Sequence, residues 1–421
     1  MKNISKRTSA LLILACVLCF TCAFATRTQA AVKLSKSSLS LLEGKSATLK
    51  LTGTKKKVTW KSNRKSVATV SQTGKVTAKA PGNATISATA GNTTKKCKVT
   101  VSTDYAKLYD YQVKYGKVTI NKLLRISETD LVIPDKIEGF PVTELADGLF
   151  KGCDGLESIT LPAGVTKIGD SMFYECRTLR KITCESKITA VGAYAFYECN
   201  ALETLPDLSG IDSIGAYTFY NCDALVSLNP VPAAVKSIGD YAFFDCDKLL
   251  TYFVPETVTS IGDYAFKSCD SLLSFSGCKN VATIGAECFA DCKQLNSISL
   301  GNKLTTLGTG CFSGCEKLGS VSFSSTLTSI PDKCFYNCYA ISNVTIPPNV
   351  TKIGNMAFFN CIKLSILTIP GTGITSIAPD SFAGVPLSGL GIWHSTSAYL
   401  DSWLTQLKLQ GLSAGNIHTI G

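Results

Sequence analysis

Cysteine is the residue type best supplied for chemistry in this chain: there are nineteen, against two histidines, His394 and His418. A thiol can ligate a metal, attack an electrophile or pair into a disulfide. Ten of them close one recurring phrase, as in IGDYAFFDC (238–246) and IGDYAFKSC (261–269). They are Cys153, Cys176, Cys199, Cys222, Cys246, Cys269, Cys292, Cys315, Cys338 and Cys361. Three phrases add a second thiol, CFADC (288–292), CFSGC (311–315) and CFYNC (334–338), a spacing that invites a metal site. Elsewhere the same offset holds Ala195, Ala242, Ala265 and Ala357, so cysteine there also reads as a small buried residue. One thiol per repeat at one position gives parallel side chains, whereas a disulfide needs Cβ vectors that face each other. The ladder therefore reads as structural thiols, with disulfides and metal as the alternatives. Cys97, Cys184 and Cys278 fall outside both columns.

The other catalytic residue types are sparse. Neither histidine has metal-ligand spacing, and no nucleophile elbow, phosphate loop or zinc-protease helix is present. An enzyme would have to rest on paired carboxylates. Acids beside the recurring cysteine (Glu175, Glu198, Asp245, Asp291) repeat with the motif, which favours a solvated face. No cofactor and no metal is expected, and the chain reads as a non-enzyme.

What positions the cysteines is a repeat. Units begin at Leu145, Ile168, Val191, Ile214, Ile238, Ile261, Ile284, Leu307, Ile330, Ile353 and Ile377, spaced by 23 residues, or 24 after Ile214 and Ile353. A fixed period of that size, with one strand-like segment per unit, marks a solenoid. Each unit reads I-G-x-x-x-F-x-x-C-x-x-L-x-x-I-x-L-P and predicts one coil. L-x-x-I-x-L supplies a strand of a parallel sheet, and the segment ending in cysteine supplies a helical or 3₁₀ turn on the opposite side. Asp170, Asp240, Asp263, Asp332 and Asn355 are suited to capping that turn. Residues 103–144 read as an N-terminal cap, 145–393 as the repeats (coils 1 to 11), and 394–421 as a small α/β C-terminal cap. In the last of these, SAYLDSWLTQLKL has helical spacing and IHTI suits a strand.

The net charge of +11 conceals an asymmetry. Residues 31–102 carry fifteen Lys or Arg and only Glu43, whereas the solenoid side is acidic overall. The same stretch alternates Val, Thr and Ser in short runs divided by EGK, QTGK and APGN, which predicts a small β-sandwich with Trp60 in its core. Residues 1–30 read as a signal peptide: Lys2, Lys6 and Arg7, then SALLILACVLCF, then Thr28-Gln29-Ala30 before cleavage. Lipidation at Cys16 is the alternative processing. The mature chain is expected to have no transmembrane segment.

The pieces VKLSKSSLSLLEGKSATLKL, VTWKSNRKSVATVS, GKVTAKAPGNATISAT and CKVTV resemble the group 2 bacterial Ig-like domain. The repeat skeleton, with DYQVKYGKVTINKLLRISETDLVIPDKIEGFPVTELADGLFKGC before it, resembles the BspA-type leucine-rich repeat family of bacterial surface proteins. The resemblance implies a secreted or cell-surface protein that binds without catalysing, its partner a host or neighbouring-cell protein or glycan. A purely structural spacer, or an envelope- or glycan-active enzyme, is the alternative.

Two groups of residues could do the binding. Lys55, Lys56, Lys57, Lys61, Arg64 and Lys65 could attract anionic cell-envelope polymers, or form a well-solvated surface. Nucleic acid is excluded by export and by the lack of aromatic residues between the lysines. On the solenoid, Tyr194, Tyr217, Tyr241 and Tyr264 form one column, and Tyr174, Tyr197, Tyr220 and Phe244 form another three residues on. That predicts a double aromatic stripe, either a partner site or packing between turns. The outward strand positions are mostly Ser and Thr and offer a hydroxyl face, or simply satisfy one another.

Overall fold

The structure is a computed structural model that describes residues 30–125, 128–228 and 232–420. Residues 1–29 of the expected signal peptide, Cys16 among them, therefore lie outside the described residues. The chain divides into two units, residues 1–105 and 106–421.

The first unit is a β-sandwich. One sheet orders Ser38–Leu42, Thr93–Ser102, Gly82–Ala90 and Thr59–Ser62; the other orders Ser46–Thr48, Lys75–Ala78 and Ala68–Val70. Alternation does the sorting. Cys97, Val99 and Val101 point inward with Leu39, Leu49, Val67, Val76 and Ile86, while Lys96 and Lys98 point out. Cys97 is thus a core thiol. Trp60 packs on this core only partly buried, with its indole against Gly74.

In the second unit the hairpin Tyr109–Lys114/Lys117–Leu123 opens the stack and pairs in parallel with Phe140–Leu145. The coils follow. The expected strand recurs as Ser158–Leu161, Lys181–Cys184, Thr251–Phe253, Ser274–Ser276 and onward, each in parallel register with its neighbour. A second ladder that the sequence reading lacks runs beside it, made of two-residue strands such as Ser237–Ile238, Ser260–Ile261 and Thr283–Ile284.

The segment carrying the cysteine is a pair of i→i+3 turns, as in Tyr174 N to Ser171 O and Cys176 N to Phe173 O. In coils 1 to 10 the turn pair holds two left-handed residues four apart, for example Tyr241 (φ 55°) and Asp245 (φ 57°), which prevents a continuous helix. Alternate amides instead bond to the next coil: Tyr241 N to Asp263 O, Phe243 N to Ala265 O and Asp245 N to Lys267 O.

The aspartates do not cap their own turns. The Oδ1 atoms of Asp170, Asp240, Asp263 and Asp332 accept from the backbone N–H of Ala193, Asp263, Ala286 and Asn355, each one coil ahead. This explains the glycine of I-G. A Cβ on Gly262 would overlap Asp240 Oδ1 and come within 2.6 Å of the Asp240 nitrogen. Inside the coils the phenylalanines stack from Phe150 to Phe382 with centroids 5.0–5.7 Å apart. The C-terminal helix Ala398–Leu409, capped by Ser397 Oγ, closes the stack. Its Trp403 meets Phe382, and Tyr399 Oη accepts from Ile377 N at 2.6 Å.

Candidate functional site

The thiol ladder is structural in its geometry. From Cys176 to Cys361, each Sγ donates to the carbonyl of the phenylalanine one coil back, at 3.0–3.3 Å. Every one of these thiols is buried. Burial pushes Cys176 and Cys361 up to about 12 and raises Cys199, Cys222 and Cys246 well above the usual thiol range. They are therefore held as the unreactive neutral form. Cys288, Cys311 and Cys334 are buried with the same upward shift, filling the space that alanine fills in other coils. Among the described residues no group of three or more His, Cys, Asp or Glu could hold a metal. Cys184 is half-buried near the Val165 carbonyl, and Cys278 is buried.

Several of the remaining chemistry-bearing residues are also engaged. His394 is buried with Nδ1 3.1 Å from Ser395 O, and His418 lies against Trp393. Arg177 bridges Glu175 at 2.9 Å and Glu198 at 2.8 Å. Among the described residues no helix is long and apolar enough to cross a membrane.

All eight expected solenoid residues come together. Tyr194, Tyr217, Tyr241 and Tyr264 stack with centroids 4.6–4.8 Å apart, and Tyr174, Tyr197, Tyr220 and Phe244 stack at 4.6–4.8 Å beside them. Tilted contacts such as Tyr217–Tyr220 at 5.8 Å and Tyr241–Phe244 at 5.6 Å join the columns into one patch on coils 2 to 6. Lys151 Nζ covers the open face of Tyr174 at 4.1 Å, and Lys267 Nζ lies 5.5 Å from the Tyr264 ring. Because neighbouring rings are within 3–14° of parallel, their faces cover one another. Edges and hydroxyls remain for solvent, and Tyr194 is the most open at 37%. Burial in the stack, then Glu198, pushes the Tyr197 hydroxyl up to about 12, so it stays a neutral donor.

Lys55, Lys56, Lys57, Lys61, Arg64 and Lys65 are all exposed on the first unit. On the strand face, Thr160 and Thr183 bond to each other at 3.0 Å, so the hydroxyls there satisfy one another in part. Phe253 interrupts that face and is 57% exposed.

Comparison with known proteins agrees with this architecture. Residues 143–273 and 259–388 match the BspA type leucine rich repeat region, and residues 30–101 match the group 2 bacterial Ig-like domain. A leucine-rich repeat protein from Bacteroides ovatus is 26% identical with a TM-score of 0.50, over 68% of this chain and 69% of that one. A leucine rich cell surface protein from Faecalibacterium prausnitzii is 24% identical, with a TM-score of 0.43, over 70% of this chain and 95% of that one. The pneumococcal vaccine antigen PcpA is 18% identical, with a TM-score of 0.39, over 74% and 96%. No curated protein matches the chain.

Proposed function

Since the chain belongs to the BspA-type leucine-rich repeat family, we propose that it is an exported, surface-displayed binding protein that holds a macromolecular partner without transforming it. The signal peptide at residues 1–30 directs export. The Ig-like module, 31–102, serves as spacer and as an attachment to anionic envelope polymers through Lys55, Lys56, Lys57, Lys61, Arg64 and Lys65. The repeats, 145–393, between caps at 103–144 and 394–421, recognise a host or neighbouring-cell component.

The observation that carries this reading is the aromatic patch of coils 2 to 6. Tyrosine in a left-handed conformation costs on the order of 1 kcal/mol, and Tyr194, Tyr217, Tyr241 and Tyr264 all adopt it with φ between 56° and 58° or at 55°. Gly148 and Gly310 occupy the equivalent place without that cost. Stacking returns about 0.5–1.5 kcal/mol per pair, so the column holds together, yet its edges stay open. Covered faces and open ring edges suit a protein partner better than a sugar ring laid flat on tyrosine. Tyrosine is also the residue type in which interface energy concentrates.

The test is a double substitution that the fold tolerates. Ser171 (φ 53°) occupies the same place as Tyr217 and Tyr241, so Tyr217→Ser with Tyr241→Ser keeps the turn. Binding to immobilised matrix proteins and to a glycan array is measured for wild type and variant. Loss of a wild-type signal in the variant supports the patch; binding that survives unchanged places the site elsewhere. A wild-type chain that captures nothing favours the spacer, and turnover of peptidoglycan or host glycan that depends on a repeat carboxylate favours an enzyme.

A further inference from the structure

A concavity of about 810 Å³ opens on the Ig-like unit, beside the strands Leu51–Thr52 and Thr59–Ser62. Leu51, Val58, Trp60 and Val70 line it, and each is only half-buried. Lys50 and Lys57 border the same space and are exposed. Trp60 pairs with the fully buried Ala88 of the neighbouring strand, yet is itself only half-buried and lines the groove. Gly74, at φ 80°, supports it from behind: a Cβ there would come within 2.8 Å of Cζ2.

A concave, largely apolar floor with a few well-placed polar groups is the usual form of a small-ligand site, and aromatic side chains are common in its lining. Here the polar groups are cations. Among the described residues neither Lys50 nor Lys57 has a carboxylate partner, and Glu43 is the sole acidic residue between positions 31 and 102. The charged side chains that line the groove are therefore both cationic.

We infer that this groove is a subsite for an acidic polysaccharide, one sugar ring lying on Trp60 and its anionic groups facing Lys50 and Lys57. Both halves of the ligand chemistry are needed. A neutral glycan leaves the lysines unused, and a bare polyanion leaves the indole and its apolar neighbours unused. The inference deepens the attachment role proposed for this module and is independent of the aromatic patch on the solenoid. It differs from a diffuse cationic surface in giving one aromatic residue a decisive share.

Residues 31–421 are titrated calorimetrically with a galacturonic acid hexamer, a neutral cellohexaose and an inorganic polyphosphate of matching charge. Wild type is compared with Trp60→Phe, with Lys50→Gln plus Lys57→Gln, and with the Tyr217→Ser plus Tyr241→Ser chain. Trp60→Phe is expected to weaken the galacturonate hexamer about tenfold while leaving polyphosphate unchanged. The lysine pair, which lies outside the core, is expected to weaken it about tenfold and to flatten its salt dependence. The solenoid variant should bind the hexamer like wild type. Unchanged hexamer affinity in Trp60→Phe overturns the subsite and leaves only diffuse attraction. Polyphosphate binding as tight as the hexamer, cellohexaose binding as tight as the hexamer, or no hexamer binding, overturns it too. Thermal melting of each variant separates a lost site from a lost fold, and the lysine pair decides the matter if Trp60→Phe melts early.

Discussion

Alkali should unfold this solenoid, and three cysteines allow the effect to be weighed. Burial keeps Cys288, Cys311 and Cys334 neutral in the folded chain, raised well above the usual thiol range. In the unfolded chain a thiol ionises near ~8.5. Above that pH the unfolded state binds fewer protons than the folded one, so stability falls as pH rises. Each such thiol contributes about 1.4 kcal/mol of loss per pH unit, from about pH 8.5 up to its folded value. Replacing all three by alanine, the residue at this offset in coils 3, 5, 6 and 10, removes three of these losses at a cost of about 1 kcal/mol each near neutrality. The slope of unfolding free energy against pH should then shrink by about 4 kcal/mol per unit above about pH 9, while the folded thiols stay neutral. Urea unfolding followed by circular dichroism at several pH values gives both slopes. The tyrosines and the remaining thiols titrate identically in both chains and cancel. Parallel slopes would refute the reasoning, because they would mean that the three sites are already ionised or already bonded to something else.

Three other outcomes follow from the same geometry. Gly262→Ala should destabilise by about 3 kcal/mol or more, because the new Cβ meets backbone of the preceding coil; Gly155→Ala, with nothing within 4 Å, should stay within about 0.5 kcal/mol of wild type in the same urea assay. At pH 8 an alkylating reagent should modify Cys153 and Cys184 first, since the other described cysteines are buried; peptide mass mapping that finds Cys246 or Cys269 among the early sites would contradict the thiol ladder. Attachment of the chain to anionic envelope polymers should weaken steeply between about 50 and 300 mM salt, and salt-independent retention would remove the cationic module from that role.

The repeat was readable because its spacing and its inward residues are both local. IGDYAFKSC and its copies give the coil, the phenylalanine core and the cysteine column without any knowledge of neighbours. The second strand ladder was not readable, since Ser260–Ile261 is too short to show alternation. The aspartates misled for a related reason. Asp240 four residues before Phe244 looks like a local cap, yet its partner, Asp263 N, is 23 residues away. Left-handed tyrosines carry no sequence mark at all; only the glycines at positions 148 and 310 of the same column hint at them. The double stripe itself was legible, but the mutual covering of ring faces shows only in the 4.6–4.8 Å between ring centroids on successive coils. Trp60 reads as core from its strand, and its groove forms from segments that are apart in sequence.

The stacking of Phe243 on Phe266, and of Tyr241 on Tyr264, repeats one step with little change. Each coil leans on its neighbour through the same backbone carbonyls, nearly all add the thiol and several add an aspartate, and none needs to know how many coils there are. A duplicated coil would therefore slide everything downstream along the axis by one rung and leave its chemistry intact. The chain can lengthen or shorten its aromatic patch as a ruler gains or loses a division, and what it grips can change in reach before it changes in kind.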